Sequence, residues 1–427
     1  MKGSIMKSVS PDYLKLYAIT DDGPDLVERV RLALEGGATC IQHRAKGASF
    51  EAAKADALAI QSLCREAGVP FIVNDSLELA LAIGADGLHV GQSDTAARDA
   101  RRALGPDAIL GVSAATVAEA VKAEQDGADY LGAGAVFSTS TKLDATHVTH
   151  DALRAICGAV DIPVVAIGGI HAGNLLQLEH SGIAGISVVS AVFGAPDVKA
   201  AACELKSLVN RADFMLPDET GMILDFDGTI LDSMHVWLGL AGDFLRANGA
   251  EPRPDLDEQL ANCADLVSGA AWIQKEYGLK LTPEETLQGL LDMLNSRYLA
   301  CELKPGAEAF LREAGRRGFR LVIGTASDRA AVEAILAKHG LLELFRDIVT
   351  TGETGLDKMD PAFYWLALER LGTRRSSTWL FDDAPFCLDA ARSCGIRTVG
   401  VPDIFFPAED FAGADRVLKR LDEWFRS

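Results

Sequence analysis

Ile223-Leu224-Asp225-Phe226-Asp227-Gly228-Thr229-Ile230-Leu231-Asp232-Ser233 falls near the midpoint of the chain and separates two kinds of pattern. An apolar run beginning at Met222 delivers two carboxylates, spaced i and i+2, to a strand end, and Gly228-Thr229 then forces a turn. In an extended strand i and i+2 share a face, so Asp225 and Asp227 point into the same space. Two anions held that close repel unless a cation or a shared proton relieves them, which reads as a metal-dependent site. The plainer alternative is a solvated Asp-Gly turn ending an ordinary strand. Partners elsewhere in the chain decide between the two.

Upstream, short apolar runs alternate with amphipathic segments from Leu14 to Phe193, the pattern of repeated βα units. Eight runs recur, at 14–20, 40–44, 71–74, 87–91, 109–114, 130–137, 164–170 and 185–192, with helical stretches such as 25–35, 49–66, 116–125 and 151–157 between them. Eight units in about 200 residues predict a (β/α)8 TIM barrel, whose chemistry collects at the C-terminal strand ends. The polar residues there form a coherent set. Arg44, Lys46 and Lys142 supply cations, and Asp75 and Asp94 supply hard oxygen ligands suited to Mg2+, a combination that fits a polyphosphate bound through its metal. Gly168-Gly169 and Ser190, after strands seven and eight, fit a monophosphate approached by bare backbone N–H groups. Taken singly these are ordinary loop residues, and His89 and Gln92 read as satisfying local hydrogen bonds.

The motifs Gln42-His43-Arg44-Ala45-Lys46, Val73-Asn74-Asp75, Asp86 through Asp94, Gly111-Val112-Ser113, Phe137 through Lys142 and Ala166 through Ile170 resemble thiamine-phosphate synthase over roughly residues 14–210. The resemblance implies condensation of hydroxymethylpyrimidine diphosphate with a thiazole phosphate, giving thiamine monophosphate and pyrophosphate. It implies Mg2+ on Asp75 and Asp94, and the diphosphate on Arg44, Lys46, Asn74 and Lys142. By the same resemblance Gln42 and Ser113 address the pyrimidine, while Thr139, Thr141, Gly169 and Ser190 hold the thiazole phosphate. His43 stands where that family more often has an apolar residue, and Ser138 where proline is usual. A related barrel, the thiazole tautomerase, lacks the full set of Lys46, Asp75, Asp94 and Lys142.

Downstream, residues 234–303 show helical periodicity with few β-branched runs, an inserted all-helical cap. Strands return at 319–325, 348–351, 378–381 and 398–401, so a Rossmann-like, doubly wound α/β domain is expected, carrying its insertion after the first strand. Its strand ends supply the partners that the opening stretch needs. Thr325 offers a hydroxyl, Lys358 a positive charge, and Asp382-Asp383 further hard ligands; with a carboxylate nucleophile and a neighbouring acid/base this completes a phosphoryl-transfer set. In this order the motifs resemble the haloacid-dehalogenase-like phosphatases. That resemblance implies Asp225 as the nucleophile that forms an aspartyl-phosphate and Asp227 as the acid and then base. It implies further that Thr325 and Lys358 bind the phosphoryl group and that Mg2+ sits on Asp225, the Asp227 carbonyl and Asp383, with Asp382 in support. His235, Trp237, Trp272 and Tyr298 in the cap suit ring stacking, though aromatic helix residues are more often core.

The 427 residues suit two domains, here a barrel over 1–210, a linker over 211–219 and a phosphatase domain over 220–427. At 48% hydrophobic and 24% charged the composition is globular, and a formal net charge of −20 works against nucleic acid. The eight cysteines form no C-x-x-C pair, residues 1–15 lack the apolar core of a signal peptide, and no apolar run reaches membrane-spanning length. A cytoplasmic enzyme acting on small phosphorylated substrates is expected, with no nucleic-acid or membrane partner, one Mg2+ in each domain, and its oligomeric state open. The expected function is bifunctional: the synthase reaction, and hydrolysis of a small phosphate ester that includes thiamine monophosphate among its candidates. The alternatives are a synthase joined to a salvage phosphatase of unrelated substrate, or a barrel that senses a phosphorylated ligand for the phosphatase.

Overall fold

Eight short strands, β1 (Leu16–Ile19), β2 (Cys40–His43), β3 (Phe71–Asn74), β4 (Gly87–Val90), β5 (Ile109–Ala114), β6 (Tyr130–Ala133), β7 (Val164–Ile167) and β8 (Gly185–Val188), pair in parallel in sequence order, and β1 closes on β8. The computed structural model describes residues 9–92, 94–138, 147–217, 219–260, 266–298 and 300–426. Strands buried on both faces need no polar alternation, which is why each reads as a nearly continuous apolar run. The two-residue period still sorts the faces. Tyr17, Cys40, Ile72, Tyr130 and Val165 pack into one buried cluster inside the barrel, so Gln42, Asn74, His89, Ser113 and Gly132, each at even spacing from these or from a registered neighbour, share the inner face. Several helices of the barrel begin on side-chain caps, with Ser49, Ser76, Thr116, Thr149 and Asp197 each accepting from a backbone N–H of the first turn.

Two runs overshoot their strands the furthest. β6 stops at Ala133 although residues 130–137 stay apolar, and β8 stops at Val188, after which Ser190–Phe193 coils into one helical turn. Val136, Val192 and Phe193 are buried beyond the ladder, so hydrophobicity persists after strand pairing ends. The last helix of the barrel spans Val198–Arg211 and starts on the Asp197 cap.

The second sheet comprises β9 (Gly221–Leu224), β10 (Arg320–Thr325), β11 (Phe345–Thr350), β12 (Thr378–Asp382), β13 (Arg397–Gly400) and β14 (Arg416–Val417), all parallel in the order β11-β10-β9-β12-β13-β14. β14 is too short to leave a pattern in the sequence. Among the described residues the elements between β9 and β10 are helices, including Leu240–Ala247, Leu266–Tyr277 and Pro283–Tyr298. Within the helical stretch that begins at residue 234, Met234–Trp237 and Leu240–Ala247 are separated where Gly239 takes φ 71°. The insertion leaves and returns through an antiparallel bridge between Leu231 and Leu303. Contacts divide the chain into two compact units, Met1–Glu219 with Leu368–Arg375, and Thr220–Ala367 with Ser376–Ser427. Among the described residues no helix is long and apolar enough to cross a membrane.

Candidate functional site

At the barrel mouth Asn74 ends β3 and Asp75 follows in the left-handed region at φ 61°, its N–H donating to the His89 carbonyl at 2.8 Å. The Asp75 carboxyl meets that of Asp94, whose Oδ2 also accepts from the Gly91 N–H at 2.8 Å. Burial first, and then the Asp94 carboxylate, push Asp75 up to about 6, against the pull of Asn74 and Lys46. Asn74, Lys46, Asp75 and Asp94 are therefore brought together, and two facing carboxyl groups are the arrangement that a hard divalent cation relieves. Arg44 is half-buried beside them in sequence, its N–H donating to Thr20 Oγ1 at 2.9 Å.

Gly168 and Gly169 take φ 101° and 64°, and a Cβ on Gly169 would lie 2.4 Å from the Ser138 carbonyl oxygen. Only glycine fits there, because Ala135, Phe137 and Ser138 pass against the backbone that follows β7. Asn174 Nδ2 donates to the Gly169 carbonyl at 2.9 Å. Ser190 is exposed where the one-turn helix after β8 begins. Thr139, Thr141 and Lys142 lie outside the described residues.

Gln42 and Ser113 belong to a chain of hydrogen bonds across the barrel interior. Gln42 Nε2 donates to Tyr17 Oη at 2.7 Å, Tyr17 Oη meets Tyr130 Oη at 2.7 Å, Tyr130 Oη meets His89 Nδ1 at 2.9 Å, and His89 Nε2 meets Ser113 Oγ at 3.0 Å. Gln92 Nε2 donates to the Ser113 carbonyl at 2.6 Å. His89 and Gln92 thus do hydrogen-bond locally. Tyr17 and Tyr130 escaped sequence reading because they sit in otherwise aliphatic runs; a hydroxyl on the inner face of a strand was the available signal.

In the second unit Asp225 follows β9, the central strand, and its N–H donates to the Phe381 carbonyl of β12 at 2.9 Å. Adjacent strand ends then converge. Thr325 closes β10 fully buried, its Oγ1 accepting from the Ser327 N–H at 3.0 Å. Asp382 closes β12, and ligand oxygens of Asp225, Asp382 and Asp383 lie within 4.8 Å of one another. Lys358 Nζ donates to Asp225 Oδ1 at 2.6 Å and lies 2.7 Å from Asp382 Oδ2, close enough for an ion pair though not aligned as a hydrogen bond. Burial pulls the lysine down, but Asp225 and Asp382 hold it well above the ordinary lysine range.

Three carboxylates face one ammonium, and the excess shows. Burial and then Asp225 raise Asp383 to about 9, while burial raises Asp382 to about 6 despite Lys358. Buried carboxylates that resist ionisation together fit a divalent metal. Gly228 turns the loop at φ 74°, and a Cβ there would lie 2.1 Å from Asp383 Oδ2.

Asp227 does not direct its carboxylate into this cluster. Oδ1 accepts from Ser233 Oγ at 2.6 Å and Oδ2 from Ser327 Oγ, which meets Tyr298 Oη at 2.9 Å. Burial and the Asp225 charge raise Asp227 to about 6, against both serines. A carboxyl that titrates near neutrality can hand over and take back a proton. Tyr298 is therefore core by burial and tethered to the site by its hydroxyl; His235 is exposed, and Trp272 packs edge-on against Tyr277. Lys304, which the sequence did not single out, bonds both the Gly228 carbonyl and Asp403.

Residues 16–192 match the family model described as thiamine monophosphate synthase, and residues 220–395 match that of haloacid dehalogenase-like hydrolase. The thiamine-phosphate synthase of Moorella thermoacetica is 52% identical over 201 residues, covering 47% of this chain and 96% of that protein. The thiamine biosynthesis bifunctional protein ThiED of Geobacter sulfurreducens is 42% identical over 215 residues, 50% of this chain but only 43% of that protein. Among solved structures, thiamine phosphate pyrophosphorylase from Pyrococcus furiosus is 44% identical, covering 47% of this chain and 98% of that one, with a TM-score of 0.45.

Proposed function

The chain belongs, through its first half, to the thiamine-phosphate synthase family, and from that premise we propose that it is a bifunctional enzyme of thiamine biosynthesis. In this reading residues 1–210 carry the synthase, 211–219 link, and 220–427 carry a phosphatase whose cap spans about 234–303. The barrel joins hydroxymethylpyrimidine diphosphate to thiazole phosphate. Arg44, Lys46, Asn74 and Lys142 hold the diphosphate, and charge accumulates on pyrophosphate as the C–O bond breaks, so these donors act most strongly in the transition state. Gln42 and Ser113 orient the pyrimidine; Thr139, Thr141, Gly169 and Ser190 hold the thiazole phosphate so that its ring nitrogen forms the C–N bond at the carbon that pyrophosphate leaves.

In the second unit Asp225 attacks phosphorus, the bond to the leaving oxygen breaks, and Asp227 protonates that oxygen. Asp227 then takes a proton from water as it attacks the aspartyl-phosphate, freeing phosphate and Asp225. Thr325 and Lys358 bind the phosphoryl oxygens. Mg2+ on Asp75 and Asp94, and on Asp225, Asp382, Asp383 and the Asp227 carbonyl, would neutralise phosphate charge when bound. The observation that carries the phosphatase reading is the buried convergence of Asp225, Lys358, Asp382 and Asp383.

The substrate is a small phosphate ester, with thiamine monophosphate the first to test because the barrel would release it in the same molecule. Purified protein is assayed for pyrophosphate release with both synthase substrates, and for phosphate release across thiamine-pathway, pyrimidine and sugar phosphates, with Asp225→Asn as control. Pyrophosphate release with both synthase substrates, together with Asp225-dependent phosphate release from thiamine monophosphate, is expected. Hydrolysis of sugar phosphates with none of thiamine monophosphate would make the phosphatase an unrelated salvage enzyme. Absence of pyrophosphate release would leave the barrel a sensor.

A further inference from the structure

The hydrogen-bonded chain through the barrel has a direction. Gln42 presents Nε2 to Tyr17, so the Tyr17 hydroxyl accepts there and its single proton is free to go to Tyr130. Tyr130 then donates to His89 Nδ1, which leaves His89 as the Nε2–H tautomer donating to Ser113 Oγ. Burial pushes both phenols well above the ordinary tyrosine range, so each keeps its proton. At the two ends of the chain, Gln42 retains an uncommitted carbonyl oxygen and Ser113 a hydroxyl proton. One end accepts and the other donates.

The barrel is hollowed to admit this chain. A Cβ on Gly111 would lie 2.1 Å from Tyr130 Cζ and 2.4 Å from His89 Nδ1, and one on Gly132 would lie 3.1 Å from His89 Cε1. Two inner-face positions of β5 and β6 thus carry no side chain where the hydroxyl and imidazole pass. An aliphatic core would have filled them.

We propose that Tyr17, Tyr130 and His89 are positioning residues that fix Gln42 as acceptor and Ser113 as donor, so that the site selects a heteroaromatic edge offering one N–H donor and one ring-nitrogen acceptor. This rests on the synthase reading and deepens it: the aminopyrimidine fits, while the ring bearing an exocyclic oxygen and a ring N–H presents the opposite order. A mismatched order leaves two like groups facing each other at each contact, and buried polar groups without partners are costly.

The test compares the amino and oxo pyrimidine diphosphates on the full-length protein by pyrophosphate release and, independently of turnover, by calorimetric affinity. Wild type is expected to favour the amino ring by about 100-fold or more in both measurements. Tyr130→Phe and Tyr17→Phe are each expected to cut that preference about 10-fold, mostly by weakening the amino ring. The double variant removes both hydroxyls together and serves if a single one unfolds. An unchanged preference in folded variants, whatever the loss of rate, overturns the relay. Equal affinity of wild type for the two rings overturns it too. Absent pyrophosphate release with an intact affinity preference that falls in the variants sinks the synthase reading alone.

Discussion

His43 lies on the outer face of β2, 2% exposed and stacked on Phe71 at 6.5 Å, with neither ring nitrogen in a hydrogen bond. Burial holds its pKa below the ordinary 6.5. As pH falls through that value the unfolded chain takes a proton that the folded barrel refuses, so stability is retained above about 6.5 and lost below it. We expect His43→Leu to raise stability by about 1 kcal/mol at neutral pH by removing an unsatisfied polar group, and to flatten the acid-side loss. Urea unfolding at pH 7.5 and 5.5 checks both; equal acid sensitivity of the two proteins would refute the assignment. Residues differed in how readable they were. Asp225, Asp227, Thr325, Lys358, Asp382 and Asp383 were legible because motif order and strand ends announce them. Tyr17 and Tyr130 were hidden in aliphatic runs, and the Lys304 to Asp403 pair joins positions 99 residues apart that no local pattern connects.

At the scale of elements, β9 and β12 deliver three carboxylates to one point, and this gives the second unit a pH dependence of its own. Asp382 near 6 and Asp383 near 9 both stand above the ordinary 3.8. Without metal, the folded cluster keeps protons that the unfolded chain releases. That advantage is complete below about 3.8 and drains as pH rises through 6 and then 9. In chelator, the Tm of the second unit is expected to fall between pH 5 and pH 9, and millimolar Mg2+ to raise it most at the alkaline end. A Tm indifferent to Mg2+ across that range would count against a metal centre. The cap reaches the Asp227 carboxylate from both of its ends, since Ser233 precedes it, Tyr298 ends its last helix, and Tyr298 meets Asp227 through Ser327. Ser327→Ala removes one donor from the Asp227 carboxylate and is expected to lower phosphatase kcat about 10-fold with little change in KM. The barrel helices were legible through their amphipathic stretches and the sheets through their apolar runs. Strand ends were not, because Val136 and Val192 stay buried after pairing stops.

For the whole molecule, the two sets of site residues share no member, so the activities are expected to separate by mutation. Lys142→Ala should reduce condensation by more than about 100-fold and leave phosphate release intact, and Asp225→Asn should do the reverse. Loss of both activities in either variant would contradict independent sites. The order of strands in the second sheet also bears on how the chain comes off a ribosome. β9 is the first strand made and the middle one placed, and both its neighbours, β10 and β12, are synthesised roughly a hundred residues or more later. The nascent chain must carry Met222, Ile223 and Leu224 unpaired while the entire cap emerges, whereas the barrel has all eight strands by Val188. Arrested chains should therefore become protease-resistant in two steps: the first half once it clears the exit tunnel, and β9 only after Asp382 has.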